Sequence, residues 1–413
     1  MNNRPVPRAR QLEFQDWEFG LFCHFGVRTF CEGHRDWDGK PMTPADFNPS
    51  GLDCRQWAAV AKEAGARYMV LTCKHHDGFA NWPSAYTEFS VAHSPWRGGK
   101  GDVVREFTDA CRAHGLKVGL YYSPAEWPAR PGGKNYDDYF ISQISEILTG
   151  YGEIDMLWFD GCGSEGHPYD WPRIVGEIRR MQPRILLFNM GDPDYRWVGN
   201  EAGLAPAPCW NAVDAVDFSV RTEGKEAVGK LKWLPAECDC RIRDANWFYE
   251  EADVHTVKTP EELLGLYYYS VGRGANLILN IGPDRNGLLP EPDISQVLAF
   301  GAEVKRRFSN PVADFSQFKQ ADHVWRCDFS ESPLIDHAVL MEDLAGGESV
   351  ARYRIEIISY AGGSPIQVWE GQSIGHKAIC PFPLVRAKGV IVTVLEAKGL
   401  VKFRDMRIFN SNG

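Results

Sequence analysis

No uninterrupted apolar run in this chain approaches the roughly 18–20 residues that a membrane span requires, so no membrane partner is expected. The opening MNNRPVPRAR carries positive charge with no apolar core behind it. No secretory signal is therefore visible, and a cytoplasmic location is the expectation unless such a segment has been removed. An excess of basic charge is also missing: the net charge is −10 and the pI ≈ 5.6. Phosphate backbones attract basic surfaces, so nucleic acid is not an expected partner. The longest basic cluster, Lys305-Arg306-Arg307, reads as the solvated end of a helix. Cysteines number 11, an odd count, and no CxxC pair occurs; Cys238 and Cys240 come closest, flanking Asp239. That excludes a disulfide scaffold or a zinc knuckle and leaves mostly reduced, buried thiols. Neither a GxGxxG fingerprint nor a P-loop follows any apolar run, which removes the obvious nucleotide-binding classes. Internal repeats and low-complexity tracts are absent.

Aromatic residues, by contrast, are plentiful. They form 12% of the chain, with 14 Trp, and flat rings suit the apolar C–H faces of carbohydrate. At 413 residues, with 44% hydrophobic and 24% charged, the chain fits one large folded domain plus one small one. Short β-like runs alternate with amphipathic helices through the first three-quarters. Strands are expected at Gly20–His24, Tyr68–Thr72, Val118–Tyr122, Asp155–Phe159, Ile185–Phe188 and Leu277–Ile281. Helices are expected at Arg55–Ala64, from Asp102 to Gly115, and at Tyr136–Leu148, Trp171–Met181, Glu261–Ser270 and Ile294–Phe308. The stretch from about 190 to 260 shows no clear period. Such alternation implies a parallel sheet, open or closed. Polar residues end strand after strand: His24, then Lys74-His75-His76-Asp77, Tyr122-Ser123, Asp160-Gly161 and Asn189. An open sheet binds at one crevice, whereas a barrel gathers every strand end around one site, so a barrel is favoured. From about residue 313 the pattern becomes two-residue alternation, as in RYRIEII (352–358) and VIVTVL (390–395), with turn-rich segments between. The expected architecture is α/β: a (β/α)8-like barrel over 1–312 and a small C-terminal antiparallel β-sandwich over 313–413.

Asp160, in MLWFDG, follows a buried strand and would project from the barrel rim, with Trp158 on the same side by alternation. A carboxylate beside an indole suits a glycosidase nucleophile and its sugar platform; the plainer reading is a loop cap. His75 and His76 could bond sugar hydroxyls, pack as ordinary core, or join His24 around a metal, although no HxH or HExxH spacing supports the last. Retaining glycosidases need a second carboxyl about 5–5.5 Å from the nucleophile. Glu201, Glu237 and Asp239 all qualify by type, and spacing does not choose among them.

The segments WEFGLFCHFG (17–26), AKEAGARYMVLTCKHHDGFANWPS (61–84), HGLKVGLYYS (114–123), IDMLWFDG (154–161) and GANLILNIGPDRNGLLPE (274–291) resemble, in order, the signature blocks of the α-L-fucosidases of glycoside hydrolase family 29. That resemblance implies a barrel followed by a sandwich, retention of anomeric configuration, no cofactor and no metal. It assigns Asp160 as nucleophile and His24, His75, His76, Tyr122 and Trp158 to the fucose pocket, with Trp82 at the pocket or its rim. The blocks RWVGNEAG (196–203) and WLPAECDCRIRDANWFY (233–249) are similar to the branch acting on α-1,3/1,4-linked fucose. There the glutamate of the GNEAG block serves as acid/base, which selects Glu201, while Glu237, Arg243 and Trp247 become substrate-binding candidates. Trp247 and Phe248 would form the apolar wall that the methyl group of a 6-deoxy sugar needs. The implied substrate is a fucosylated oligosaccharide or glycoconjugate; the oligomeric state stays open. The alternatives are an α-L-galactosidase or a broader-linkage fucosidase on the same site, a carbohydrate-binding protein without catalysis, and a metal hydrolase built on the three histidines.

Overall fold

The structure is a computed structural model that describes residues 4–31, 33, 40–126, 136–164 and 166–412. Eight parallel strands form the larger, N-terminal sheet: β1 (Phe19–Cys23), β2 (Tyr68–Lys74), β3 (Lys117–Tyr122), β4 (Met156–Phe159), β5 (Leu186–Leu187), β6 (Arg196–Trp197), β9 (Ala236–Arg241) and β10 (Asn276–Asn280). Their order is β5-β4-β3-β2-β1-β10-β9-β6, and a parallel bridge between Phe188 and Tyr195 joins the two ends of the sheet. The strands are buried on both faces, as expected for a sheet wrapped by helices.

Helices follow most strands, for the reasons their sequences give. After α1 (Ala9–Gln15) come α2 (Cys54–Glu63) and α3 (Val103–Ala113), the latter burying Val103, Val104, Phe107, Ala110 and Cys111. Its N-cap is Asp102, whose carboxylate accepts the Arg105 N–H at 2.9 Å. Helices α4 (Tyr136–Gly150), α5 (Trp171–Met181), α6 (Pro260–Tyr269) and α7 (Glu291–Phe308) complete the ring. No helix follows β5 or β6. Residues 188–195 run directly between them, and a hairpin of β7 (Ala212–Asp217) and β8 (Lys225–Trp233) fills the place of the next helix. This explains the missing period between 190 and 260. Among the described residues, no helix is long and apolar enough to cross a membrane.

The C-terminal part is an antiparallel β-sandwich. Strand β16 (Ala378–Ala397) belongs to both layers: its first half pairs with β13 (Leu334–Glu342), and its second with β12 (Val324–Asp328) and β14 (Val350–Ser359). The outer strands are β11 (Lys319–Ala321), β15 (Ile366–Gln372) and β17 (Phe403–Phe409). Trp325, Ile355 and Val392 from one layer meet Ile335, Leu340 and Ile408 from the other in a shared core. The sandwich holds the end of the barrel opposite the strand tips: Glu18, just before β1, binds Lys377 and His376 (2.5 and 3.0 Å), and the Tyr268 hydroxyl lies 2.7 Å from His337 Nε2.

Candidate active site

Strand parity decides which side chains meet inside the barrel. Phe22, Tyr68, Tyr121, Trp158, Phe188, Trp197 and Ile278 form one interior cluster, while their sequence neighbours face the helices. Register places Tyr121 beside Trp158 and Tyr122 beside Phe159. Above this aromatic floor, at the strand tips, opens a cavity whose lining includes His24, His75, His76, Asp160, Glu201 and Trp247.

Asp160 stands immediately after β4 and its side chain is 25% exposed. Its Oδ1 accepts the Cys162 N–H at 2.8 Å, its Oδ2 accepts the Tyr121 hydroxyl at 2.9 Å, and His76 Nε2 lies 3.4 Å from Oδ2. Burial alone would raise this carboxyl. His76, the Cys162 amide and the Tyr121 hydroxyl outweigh it and hold Asp160 below its ordinary value, as a carboxylate. Gly161 is needed beside it because a Cβ there would lie 2.3 Å from the Phe218 carbonyl oxygen of the hairpin tip.

Each histidine has a defined setting. The Asn280 amide nitrogen donates to the Trp247 carbonyl at 2.7 Å, so its oxygen faces His24 Nδ1, also at 2.7 Å. Nδ1 of His24 therefore carries the proton, and burial pushes this imidazole down to about 3, which keeps it neutral. The His75 ring lies parallel to Tyr121 with centroids 5.6 Å apart and meets Phe248 edge-on; burial, then His76 and His24, push it well below the usual histidine value. Ser123 donates its hydroxyl hydrogen to the Ala125 carbonyl, so His76 Nδ1 is the donor in its 2.6 Å bond to Ser123 Oγ. Among the described residues, no group of three or more His, Cys, Asp or Glu is arranged to hold a metal ion.

Glu201 reaches the cavity from the loop after β6, with its side chain 28% exposed and Oε2 3.9 Å from Arg241 Nη1. The loop is tied to β9 at both ends: Val198 N–H donates to the Glu237 carbonyl and Gly203 N–H to the Asp239 carbonyl, at 3.0 and 3.1 Å. Gly203 has φ +74 and lies so close to β9 that a Cβ would meet Cys240 Sγ at 2.9 Å, which accounts for the last glycine of GNEAG. Trp247 also lines the cavity, its ring 5.0 Å from that of His24, with Phe248 packed edge-on against the same histidine.

Four expected pocket residues lie elsewhere. Tyr122 points outward, donates to Gln143 Oε1 at 2.6 Å and stacks on Phe140; its neighbour Tyr121 takes the pocket position because the strand alternates. Trp82 is 1% exposed and its indole N–H donates to Glu146 on α4 at 2.8 Å, so it ties a loop to the helix layer. Glu237 faces inward but sits below the cavity, accepting the Tyr68 hydroxyl and the Trp158 indole N–H at 2.6 and 2.9 Å. Arg243 forms a bidentate pair with Asp293 at 2.7–2.9 Å and binds Asp253 at 3.0 Å, away from the cavity. Sequence reasoning missed Tyr121, Trp197 and the hairpin tip Phe218–Val220, all of which line it. Counting parity back from Asp160 would have found Tyr121 through its partner Trp158; the hairpin tip left no signal.

Carboxyls and aromatic rings gathered at the C-terminal rim of a parallel barrel define a glycoside hydrolase. A family model described as Alpha-L-fucosidase matches residues 2–307. The chain belongs to that family, the α-L-fucosidases of glycoside hydrolase family 29. Alpha-L-fucosidase 1 of Arabidopsis thaliana is 33% identical over 419 residues, covering 92% of this chain and 82% of that protein. The crystal structure of a glycoside hydrolase 29 family member from an unknown rumen bacterium is similar, with a TM-score of 0.90 and 34% identity over 99% of this chain and 78% of that one. A family 29 fucosidase of Ruminococcus gnavus, solved in complex with fucose, has a TM-score of 0.84 and 25% identity, covering 99% of this chain and 95% of that one.

Proposed function

We propose that this enzyme is a retaining exo-α-L-fucosidase that removes terminal α-1,3/1,4-linked L-fucose from branched oligosaccharides or glycoconjugates. The observation that carries this reading is that Asp160, ringed by donors, and Glu201, on a loop, open into one cavity. Asp160 attacks the anomeric carbon while Glu201, protonated, donates to the departing glycosidic oxygen. The C–O bond breaks and a fucosyl ester forms on Asp160. Glu201 then takes a proton from water, the resulting hydroxide attacks the same carbon, and fucose leaves with its configuration retained. His24, His75 and His76 bond the sugar hydroxyls, Trp158 and Tyr121 form its floor, and Trp247 covers the methyl group. The α-1,3/1,4 preference is supported by the GNEAG block that carries Glu201. Fucose release from isomeric α-1,2, α-1,3, α-1,4 and α-1,6 oligosaccharides tests it. Release mainly from the 1,3 and 1,4 isomers is expected; equal release from all four would remove the linkage preference.

A further inference from the structure

We propose that the tip of the β7–β8 hairpin, Phe218–Val220, is the wall that receives the sugar residue carrying the fucose, with Val220 as its contact. The inference deepens the proposed function. It rests on Asp160 and Glu201 as the catalytic pair and names the feature that reads the far side of the bond they cleave.

The hairpin spans the gap between the two carboxyls. On one side, its Phe218 carbonyl oxygen would lie 2.3 Å from a Cβ at Gly161, the residue after Asp160. On the other, a Cβ at Gly199, two residues before Glu201, would meet Asp217 Oδ2 at 2.7 Å. Only glycines admit the hairpin on both sides. Between them stands Asn189, just beyond β5. Its Nδ2 donates to the Asp217 carbonyl and its Oδ1 accepts the Trp197 N–H, at 2.8 and 3.1 Å, which ties the tip to the strand ends.

The base of the hairpin is fixed as well. The N–H and Nδ2 of Asn211 donate to Glu348 of the sandwich at 2.9 and 2.8 Å, and the Ala212 N–H donates to the same carboxylate at 3.3 Å. Anchored at base and tip, the hairpin presents a set surface to the cavity. Phe218, Ser219 and Val220 all line that cavity, and Val220 is 51% exposed. An isopropyl group half in water gains stability when an apolar surface covers it. The fucose ring takes the floor of Tyr121 and Trp158. Glu201 protonates the glycosidic oxygen, so the atoms beyond that oxygen depart on the side of Glu201, where the hairpin stands. The apolar surface arriving there is the C–H face of the sugar that bore the fucose.

Val220→Ser trims a side chain that is half in solvent and leaves the hairpin anchors in place. Two substrates separate the two sides of the scissile bond: α-L-fucosyl fluoride, whose leaving group carries no sugar, and the fucosylated oligosaccharide that the enzyme cleaves best. In Val220→Ser, kcat/KM for the oligosaccharide, taken relative to that for the fluoride, should fall about three- to fivefold, as expected for losing a partly covered side chain of this size. A ratio that stays at the wild-type value, or rises, overturns the proposal. Failure of the underlying reading looks different: the wild type would then release fucose from neither substrate, or Glu201→Ala would cleave the oligosaccharide at the wild-type rate.

Discussion

The Tyr121 hydroxyl donates to Asp160 Oδ2 at 2.9 Å, whereas Tyr122, next in sequence, buries its hydroxyl against Gln143 on the opposite side of the sheet. Two tyrosines in tandem thus serve chemistry and stability separately. Tyr121→Phe removes one donor from an ionised carboxylate, a loss of about 1.5–3 kcal/mol of stabilisation. Turnover should fall by about ten- to a hundredfold, and the acid limb of the rate profile should move to higher pH because Asp160 is less well held as its anion. Tyr122→Phe removes the hydroxyl donor from buried Gln143 Oε1, at a cost of about 0.5–1.5 kcal/mol of stability by denaturant titration, with kcat and KM unchanged.

Glu201→Ala should separate substrates by leaving group. Natural glycosidic oxygens need the proton, so their cleavage should drop on the order of 10²–10⁴-fold. Aryl fucosides carry a leaving group that departs as an anion, and their glycosylation step should change far less. Paired kcat/KM measurements on the two substrate types check this.

Glu237 predicts a pH-dependent stability. Burial pushes its carboxyl up to about 7, against an ordinary 4.5, so the folded protein binds a proton more tightly than the unfolded chain. That contribution is complete below about 4.5 and is lost as pH rises through about 7. Glu237→Gln imitates the neutral form, keeping an acceptor for Trp158 and a partner for Tyr68. Above pH 7 it should be more stable than wild type by up to ~3 kcal/mol, with the two curves converging below pH 4.5. Thermal unfolding across that range is the measurement.

Arg243 is expected to matter for folding. It spans Asp293 and Asp253, which are 0% and 6% exposed, and lies over the Tyr249 ring at 4.9 Å. Arg243→Ala strands both carboxylates and should cost about 3–5 kcal/mol. KM for an aryl fucoside should stay near wild type in whatever fraction folds, which a titrated-active-site assay would show.

Much of this arrangement was legible in the sequence because parallel strands advertise themselves as apolar runs ending in polar residues. His24, His75, His76 and Asp160 were found that way, and Trp158 followed from Asp160 by parity. Strand parity carried over from Trp158 selects Tyr121 of the YY pair for the pocket and leaves Tyr122 facing the helices. Glu237 and Arg243 carry the right chemistry but differ from Asp239 and Arg241 only by depth or side of the barrel, which residue type does not encode. The β7–β8 hairpin was invisible because Lys225–Trp233 is exposed along most of its length and shows no apolar alternation. Its tip nonetheless reaches the cavity through Phe218, Ser219 and Val220.

Trapping the covalent intermediate addresses the nucleophile itself. After incubation with 2-deoxy-2-fluoro-fucosyl fluoride, mass spectrometry of the digested enzyme should find the fluorofucosyl group on the peptide containing Asp160, and the Asp160→Gly enzyme should take up none. A label on any other carboxylate, with Asp160 unmodified, would contradict the mechanism.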